Sequence, residues 1–357
     1  MVSNGQKEME GLLMLTQWRG CFLCVSREER WWESRWYGMV IGVILLALLY
    51  PCTGLSATGP VQISMQNSGT QATLLDIYFQ NTKKGWAVGS SGTMLHTQDG
   101  GKTWLAIPRR TNVLLTTVTF VDENEGWILG QNGTIFHSVD GGRKWLPQSS
   151  GTNATLFRAF FLDSLTGWIV GSRGTILFTQ DGGATWDDQS SETTADLFGV
   201  QFVDHRTGWV VGALGLILST TDGGKHWDSQ STNSPATFFD IAFNDKTSSW
   251  AVGTQGTIFQ TLDGGKRWVD HTRPCGSPCV KPPDLVKVTF LDEANGWIIG
   301  ERGILLQTVN GGFTWSESNA ASHGSLYGLS FSDRSHGWAV GDQGTILSFQ
   351  PHSTLKP

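Results

Sequence analysis

The side chains in this chain that could do chemistry recur within one short motif, S/T-x-D-x-G-x-x-W, known as the Asp box. Its third position holds Asp99, Asp140, Asp181, Asp222, Asp263 and Asn310. A row of carboxylates could act as acid–base catalysts or bind calcium, but both roles require several of them to converge. Each instead repeats in its own turn, where a carboxylate can accept backbone N–H bonds beside left-handed glycines. We therefore predict structural Asp boxes, with no catalytic residue, no cofactor and no metal.

Glycoside hydrolysis is the enzymatic alternative, because Asp boxes also occur in sialidases. Sialidase chemistry needs three arginines around a carboxylate and a tyrosine nucleophile supported by a glutamate. The repeats contain two tyrosines, Tyr78 and Tyr327, and their first strands contain one arginine, Arg158. The sequence contains no G-x-S-x-G elbow, which argues against Ser-His-Asp chemistry. We predict a protein that is not an enzyme, with a glycan-binding or glycoside hydrolase (sialidase-like) role as the alternative.

The Asp boxes belong to a long internal repeat marked by tryptophan. Thirteen of the 17 tryptophans follow residue 57 and occupy two repeat positions. The first set is Trp86, Trp127, Trp168, Trp209, Trp250, Trp297 and Trp338, mostly 41 residues apart. The second set, each 18 residues later, is Trp104, Trp145, Trp186, Trp227, Trp268 and Trp315. Seven supersecondary units therefore make up one large domain rather than several small ones.

Each unit predicts four short strands, A to D. Strand A has the pattern LxxVxF with alternating packed positions, as in Leu115 to Phe120. Strand B contains the Gly-Trp-x-x-Gly block, and a glycine six residues after its tryptophan marks the hairpin to strand C. The Asp box joins strand C to strand D, whose start is anchored by the second tryptophan.

Seven such units predict an all-β fold, a seven-bladed β-propeller of four-stranded blades. The seventh unit stops after Phe349, before any Asp box. Second-set tryptophans normally stand 11 residues before the first apolar residue of the next strand A, and Ile63 holds that position before Leu74. We therefore predict that residues 61–65 supply the outer strand of the last blade and close the ring.

One connection is longer than the others. Trp250 and Trp297 are 47 residues apart, six more than the usual spacing. The extra residues include Cys275 and Cys279, which could close a small disulfide loop in an oxidising compartment or remain free thiols. A lone insertion in a repeat protein often marks a functional face, but a neutral loop fits the sequence equally well.

The N-terminal part differs in composition from the repeats. Residues 38–57 include an uncharged apolar stretch, which we interpret as a signal peptide or membrane anchor helix. Residues 1–37 are then a cytoplasmic tail or lie before the true start, and residues 58–357 form the propeller. Both interpretations place the repeats outside the cytoplasm, in the periplasm, at the cell surface or in a thylakoid lumen. The net charge of −6 argues against a nucleic-acid partner.

The combination of LxxVxF, GWaVGxxGTI and T-x-DGGxTW over residues 61–350 resembles the photosystem II stability and assembly factor family. The resemblance implies a non-enzymatic lumenal or periplasmic protein that binds assembly intermediates of a membrane complex. We accordingly expect a monomer whose partner is a protein subunit of such a complex.

The resemblance also implies a basic patch for partner binding. In propellers the D-to-A connections and the B-to-C turns share one face. In this sequence they carry Arg109, Arg110, Arg173, Arg273, Lys281 and Arg302. The same face carries acidic residues, among them Glu192, Glu301 and Asp342.

Overall fold

The repeats fold into seven four-stranded antiparallel sheets, seen in a computed structural model that describes residues 62–243, 247–272, 281–318 and 324–350. The segments 1–37 and 38–57 lie outside the described residues, as do Arg273, Cys275 and Cys279. No helix among the described residues is long and apolar enough to span a membrane.

The strands follow the predicted order of four per unit. Blades 1 to 3 contain β2 (Leu74–Phe79), β3 (Gly85–Gly89), β4 (Met94–Thr97), β5 (Leu105–Ala106), β6 (Leu115–Phe120), β7 (Gly126–Gly130), β8 (Thr134–Ser138), β9 (Leu146–Ser149), β10 (Leu156–Phe161), β11 (Gly167–Gly171), β12 (Ile176–Thr179) and β13 (Asp187–Asp188). Blades 4 and 5 contain β14 (Leu197–Phe202), β15 (Gly208–Gly212), β16 (Ile217–Thr220), β17 (Asp228–Gln230), β18 (Phe238–Phe243), β19 (Ser249–Gly253), β20 (Ile258–Thr261) and β21 (Val269–Asp270).

Blades 6 and 7 complete the series. They contain β22 (Leu285–Phe290), β23 (Gly296–Gly300), β24 (Leu305–Thr308), β25 (Ser316–Glu317), β26 (Leu326–Asp333), β27 (His336–Gly341), β28 (Ile346–Gln350) and the N-terminal strand β1 (Gln62–Gln66). Short 3-10 turns join strands B and C at Ser90–Gly92, Ser172–Gly174, Thr254–Gly256, Glu301–Gly303 and Asp342–Gly344.

The A strands contact one another in a closed cycle, β2–β6–β10–β14–β18–β22–β26 and back to β2. The predicted seven-bladed, all-β propeller is therefore confirmed. The five residues from the one before the first-set tryptophan to the closing glycine are buried in every B strand, where sheets pack face to face, and β27 begins one residue earlier at the half-buried His336.

The hydrophobic core lies between the blades rather than within them. Each first-set tryptophan reaches the next blade, and in several junctions its ring stacks on the strand-A phenylalanine there. Trp168 and Phe202 have ring centroids 3.6 Å apart, and Trp338 and Phe79 are 3.4 Å apart across the ring junction. Because each ring is buried by two sheets, one tryptophan-to-alanine change should cost about 3–5 kcal/mol.

The B-to-C turns have the left-handed backbone that a tight hairpin requires. In blade 1 both central residues have positive φ, 56° at Ser91 and 67° at Gly92. A side chain at Gly92 would also collide with the carbonyl oxygen of Thr111 in the next connection. Glycine is therefore required here for conformation and for close approach.

Strand β1 forms the outer strand of blade 7. It pairs antiparallel with β28, and Ile63 lies opposite Phe349. The Ser64 and Ser348 hydroxyl oxygens are 2.8 Å apart. The pairing continues to Gln66, one residue beyond the predicted segment. How much this strand contributes to keeping the ring closed stays a prediction.

Candidate partner-binding face

The B-to-C turns and the D-to-A connections lie together at one end of the strands. The Gly133 amide donates to the Ala154 carbonyl at 2.7 Å, and the Gly174 amide donates to the Ala195 carbonyl at 2.8 Å. Each pair joins the B-to-C turn of one blade to the connection leaving that blade. We call this surface, formed by B-to-C turns and D-to-A connections, the connection face.

The predicted basic residues are spread around the connection face. Arg109 and Arg110 are exposed between blades 1 and 2, Arg173 is exposed on blade 3, and Arg302 is exposed on blade 6. The Arg302 guanidinium donates to the Lys281 carbonyl oxygen at 3.2 Å. The structure thus brings Lys281 and Arg302 together, and it places the other arginines on different blades.

Acidic side chains on this face are occupied by backbone groups. The Arg173 amide donates to Asp196 at 2.9 Å, the Gln255 amide to Asp284 at 2.8 Å, and the Ser325 amide to Asp342 at 3.1 Å. These carboxylates fix the connections against the turns. None of them forms a salt bridge with the predicted basic residues within the described part of the chain.

Two of the arginines have unusual backbone conformations. Arg173 has a φ of 57° and Arg302 a φ of 56°, the left-handed region that side chains other than glycine and asparagine seldom adopt. The hairpin holds the backbone of these residues at its tip, and both side chains are exposed. Exposed cations that form no salt bridge with the described residues are suited to binding an anionic surface.

A second charged cluster closes the centre of the ring. Arg158 Nη1 lies 3.9 Å from Asp76, its Nη2 lies 3.6 Å from Asp240, and Lys287 Nζ lies 3.6 Å from Asp76. Both carboxylates also accept hydrogen bonds from the next blade, Asp76 from the Val118 amide and Asp240 from the Val288 amide. We call Asp76, Arg158, Asp240 and Lys287 the channel cluster.

The channel cluster is mostly buried and contains two acidic and two basic side chains. Its side chains are between 6% and 18% exposed, beside a cavity of about 240 Å³ lined by all seven A strands. Burial lowers the pKa of Lys287, and the charge of Arg158 lowers it further, whereas Asp76 and Asp240 raise it. Arg158 faces two carboxylates here, so it is not part of a three-arginine clamp.

Arg158 is notable in the sequence as the one arginine of the first strands, whereas the other members of this cluster were not predicted. A signal was present, because all four residues share the repeat position ten before the first-set tryptophan. That position reads Asp76, Thr117, Arg158, Gly199, Asp240, Lys287 and Gly328. Charges of both signs at one otherwise small or polar position indicate a network across the ring.

The Asp-box residues are all used inside their own turns. The Thr103 amide donates to Asp99 at 2.9 Å, and the Thr97 hydroxyl donates to the same carboxylate at 2.9 Å. Asn310 accepts from the Thr314 amide at 3.0 Å in the same arrangement. Among the described residues no group of three or more His, Cys, Asp or Glu side chains could hold a metal ion.

Comparison with known proteins places this architecture in a family. A family model described as "Photosynthesis system II assembly factor YCF48" matches residues 60–150, 147–234 and 226–321. These matches cover most of the repeats and more than half of the chain. The chain belongs to the YCF48 family.

Relatives within the YCF48 family are distant in sequence. The chain is 36% identical over 70 residues to the photosystem II assembly lipoprotein Ycf48 of Nostoc sp. (strain PCC 7120 / SAG 25.82 / UTEX 2576). That alignment spans 19% of this chain and 21% of the relative.

Solved YCF48 structures share the fold. A structure described as YCF48 bound to D1 peptide superposes with a TM-score of 0.67 at 20% identity, covering 84% of this chain and 99% of that one. YCF48 from Cyanidioschyzon merolae gives a TM-score of 0.67 at 24% identity, covering 82% and 99%. At these identities the likeness concerns the fold alone.

Proposed function

We propose that this protein is a non-enzymatic scaffold that binds a protein partner during assembly of a membrane complex. The name of its family points to photosystem II as that complex. Membership of the YCF48 family carries the proposal. A related structure contains a D1 peptide, so a peptide of this kind is the first partner to test.

We assign partner binding to the connection face. Its cations Arg109, Arg110, Arg173 and Arg302 are exposed, while the neighbouring carboxylates are engaged with backbone amides. A partner with acidic groups would therefore meet unpaired positive charge on a rigid surface. Arg273 and Lys281 belong to the same proposal, and a Cys275–Cys279 disulfide would stiffen the connection that bears them.

Charge reversal tests this assignment. The triple change Arg109→Glu, Arg110→Glu and Arg302→Glu should weaken binding of a D1 peptide to the purified full-length protein by at least tenfold, about 1.4 kcal/mol. Isothermal titration at two salt concentrations measures the effect, which should shrink at high salt.

The matched control reverses three cations at the opposite end of the strands, Lys225→Glu, Lys266→Glu and Arg267→Glu. It changes the net charge equally and should leave peptide affinity within twofold. If both triple variants lose the same peptide affinity, the loss is explained by net charge alone. That result would contradict a binding site on the connection face.

We further infer that the repeats act outside the cytoplasm as a monomer. Residues 38–57 would serve either as a membrane anchor helix or as a signal peptide that is cleaved off. The apolar composition of that segment supports this inference. Mass spectrometry of the mature N-terminus from native membranes tests it. A chain that starts near residue 58 indicates cleavage, and an intact chain in the membrane fraction indicates an anchor; an intact chain in the cytosol contradicts export.

A further inference from the structure

The junctions between blades differ in the side chain that lies at one repeat position of the outer strand. Three residues after the Asp-box tryptophan, the repeat has Gln148, Gln189 and Gln230, and Gln66 holds the same position in β1. Blade 1 has Ile107 instead, whereas blades 5 and 6 have His271 and Ser318.

Two of these glutamines bridge to the next blade, whereas Gln148 contacts His137 and Gln230 donates to Ser219 within their own blades. Gln189 Nε2 donates to the Gly223 carbonyl at 3.0 Å, and Gln66 Nε2 donates to the Gly100 carbonyl at 3.0 Å. In both cases the side-chain amide lies directly over the second glycine of that Asp box. A Cβ added at Gly101 would collide with Gln66, and one added at Gly224 would collide with Gln189. The side chain therefore covers the seam between two blades.

Ile107 cannot make this bridge, and a groove lies at its seam. The groove has a volume of about 610 Å³ and separates the outer strand β5 from the Asp box of blade 2. Its lining includes Lys83, Lys84, His96, Ile107 and Arg143. A volume of this size is in the range of ligand-binding clefts. We call it the blade 1–2 groove.

The charge of the blade 1–2 groove is positive and uncompensated. No carboxylate is among its lining residues, and within the described chain Lys83, Lys84 and Arg143 form no salt bridge. The nearby Asp99 and Asp140 accept hydrogen bonds within their own turns. Burial lowers the pKa of His96, and the charge of Lys84 adds to this, as expected beside unneutralised cations.

The groove also has an apolar wall and a free backbone edge. Leu105, on β5, is 65% exposed, and Ile107 and Pro108 continue the same wall. Lys84 Nζ lies 5.2 Å from the centre of the buried Trp86 ring, a cation–π contact that fixes its position. Among the described strands β5 pairs only with β4, which leaves its outer edge available for a further strand.

We propose that the blade 1–2 groove binds an extended acidic peptide segment in which carboxylate side chains alternate with apolar ones. The carboxylates would pair with Lys83, Lys84 and Arg143, and the apolar side chains would cover Leu105 and Ile107. The apolar wall and the strand edge favour a peptide over an inorganic anion, which would use the cations alone. The groove adjoins the start of the blade 1 D-to-A connection at Ile107 and Pro108, but its cations Lys83, Lys84 and Arg143 are not those assigned to the connection face.

The test uses the full-length protein and a fluorescein-labelled peptide, Glu-Leu-Asp-Phe-Glu-Leu, followed by fluorescence anisotropy. The uncharged peptide Gln-Leu-Asn-Phe-Gln-Leu should bind at least tenfold more weakly. Ile107→Gln restores the glutamine of the repeat without changing charge, and it should weaken binding of the acidic peptide at least tenfold. Ile107→Val keeps the groove open and should bind within twofold of the parent.

A charge variant provides the second measurement. Lys84→Gln with Arg143→Gln should weaken binding at least tenfold, whereas Lys266→Gln with Arg267→Gln, two cations of the blade 5 Asp box, should leave it within twofold. Thermal unfolding of every variant checks that the propeller is intact. Equal binding of both peptides, or unchanged binding in both Ile107→Gln and the Lys84/Arg143 variant, overturns the proposal. These variants leave Arg109, Arg110 and Arg302 unchanged, so the charge-reversal test of the connection face remains separate.

Discussion

At the scale of single residues, the Asp box shows how a carboxylate can serve a turn rather than a reaction. The Thr103 hydroxyl and amide both donate to Asp99, and they lower its pKa from 3.8 to about 2. Hydrogen bonds to the ionised form stabilise that form, so the shift reports a satisfied acceptor. Asn310 makes the equivalent contacts without a charge, which shows that hydrogen-bond geometry, rather than charge, is the shared requirement.

This geometry predicts a specific acid sensitivity. Because the folded pKa of Asp99 is depressed, its stabilising contribution is complete above pH 4 and is lost as pH falls towards 2. Asp99→Asn should fold normally at pH 7 and lose less stability than the parent between pH 4 and pH 2. Urea denaturation at each pH measures this.

The reverse change is the matched control. Asn310→Asp, in the same turn of blade 6, should add acid sensitivity over the same interval. If both variants follow the pH dependence of the parent, the Asp-box carboxylates do not contribute to acid unfolding.

At the scale of elements, blade 7 is the only sheet built from both ends of the described chain. Strand β1 supplies its outer edge, with Ile63 in the place of the tryptophan found in other blades. Ile63 packs with the Trp297 and Phe349 cluster. Gln66 extends the contact to blade 1, accepting from the Trp104 indole at 3.2 Å. One short strand thus touches two blades.

Two positions of β1 that differ in burial provide a stability test. Ile63→Asn buries a polar group against the core and should cost about 1–3 kcal/mol. Met65→Asn, at a residue 60% exposed on the same strand, should change stability by less than about 0.5 kcal/mol. Chemical denaturation compares the two variants.

Deleting residues 60–66 should lower the unfolding temperature sharply, because an unpaired edge would then open the ring between blades 7 and 1. A deletion variant that unfolds at the parental temperature would show that β1 does not close the propeller.

At the scale of the whole molecule, the channel cluster links blades that are not neighbours. Arg158 in blade 3 faces Asp76 in blade 1 and Asp240 in blade 5, and Lys287 joins from blade 6. Four alternating charges therefore tie four innermost strands together. A buried pair contributes little against well-packed apolar groups, but removing one partner leaves a buried charge alone.

Arg158→Met should therefore destabilise the propeller by about 3–5 kcal/mol, since Asp76 and Asp240 lose a shared cation. The double change Arg158→Met with Asp240→Asn should cost less than Arg158→Met alone, because one of the stranded charges is removed. Urea denaturation of the full-length protein separates these outcomes. A double variant less stable than the single one would contradict the account of the channel cluster as a balanced charge network.

The number and type of blades could be read from the sequence because every repeat satisfies its own requirements locally. The tryptophan spacing, the turn glycines and the Asp-box hydrogen bonds all lie within about 40 residues, and the structure reproduces each of them. The placement of the B-to-C turns and D-to-A connections at one end of the strands was also predictable, because it depends only on strand order, although the predicted basic residues lie on several different blades.

Contacts between distant blades could not be read in this way. Asp76 and Lys287 are 211 residues apart, and they meet because closing the ring brings one position of several repeats to a common axis. The blade 1–2 groove likewise depends on which side chain crosses a seam, as Gln189 does and Ile107 does not. The sequence by itself determined the blade, because its interactions are local and periodic. Only the tertiary structure decided which charges meet and which seam stays open, because ring closure and packing between sheets set those distances.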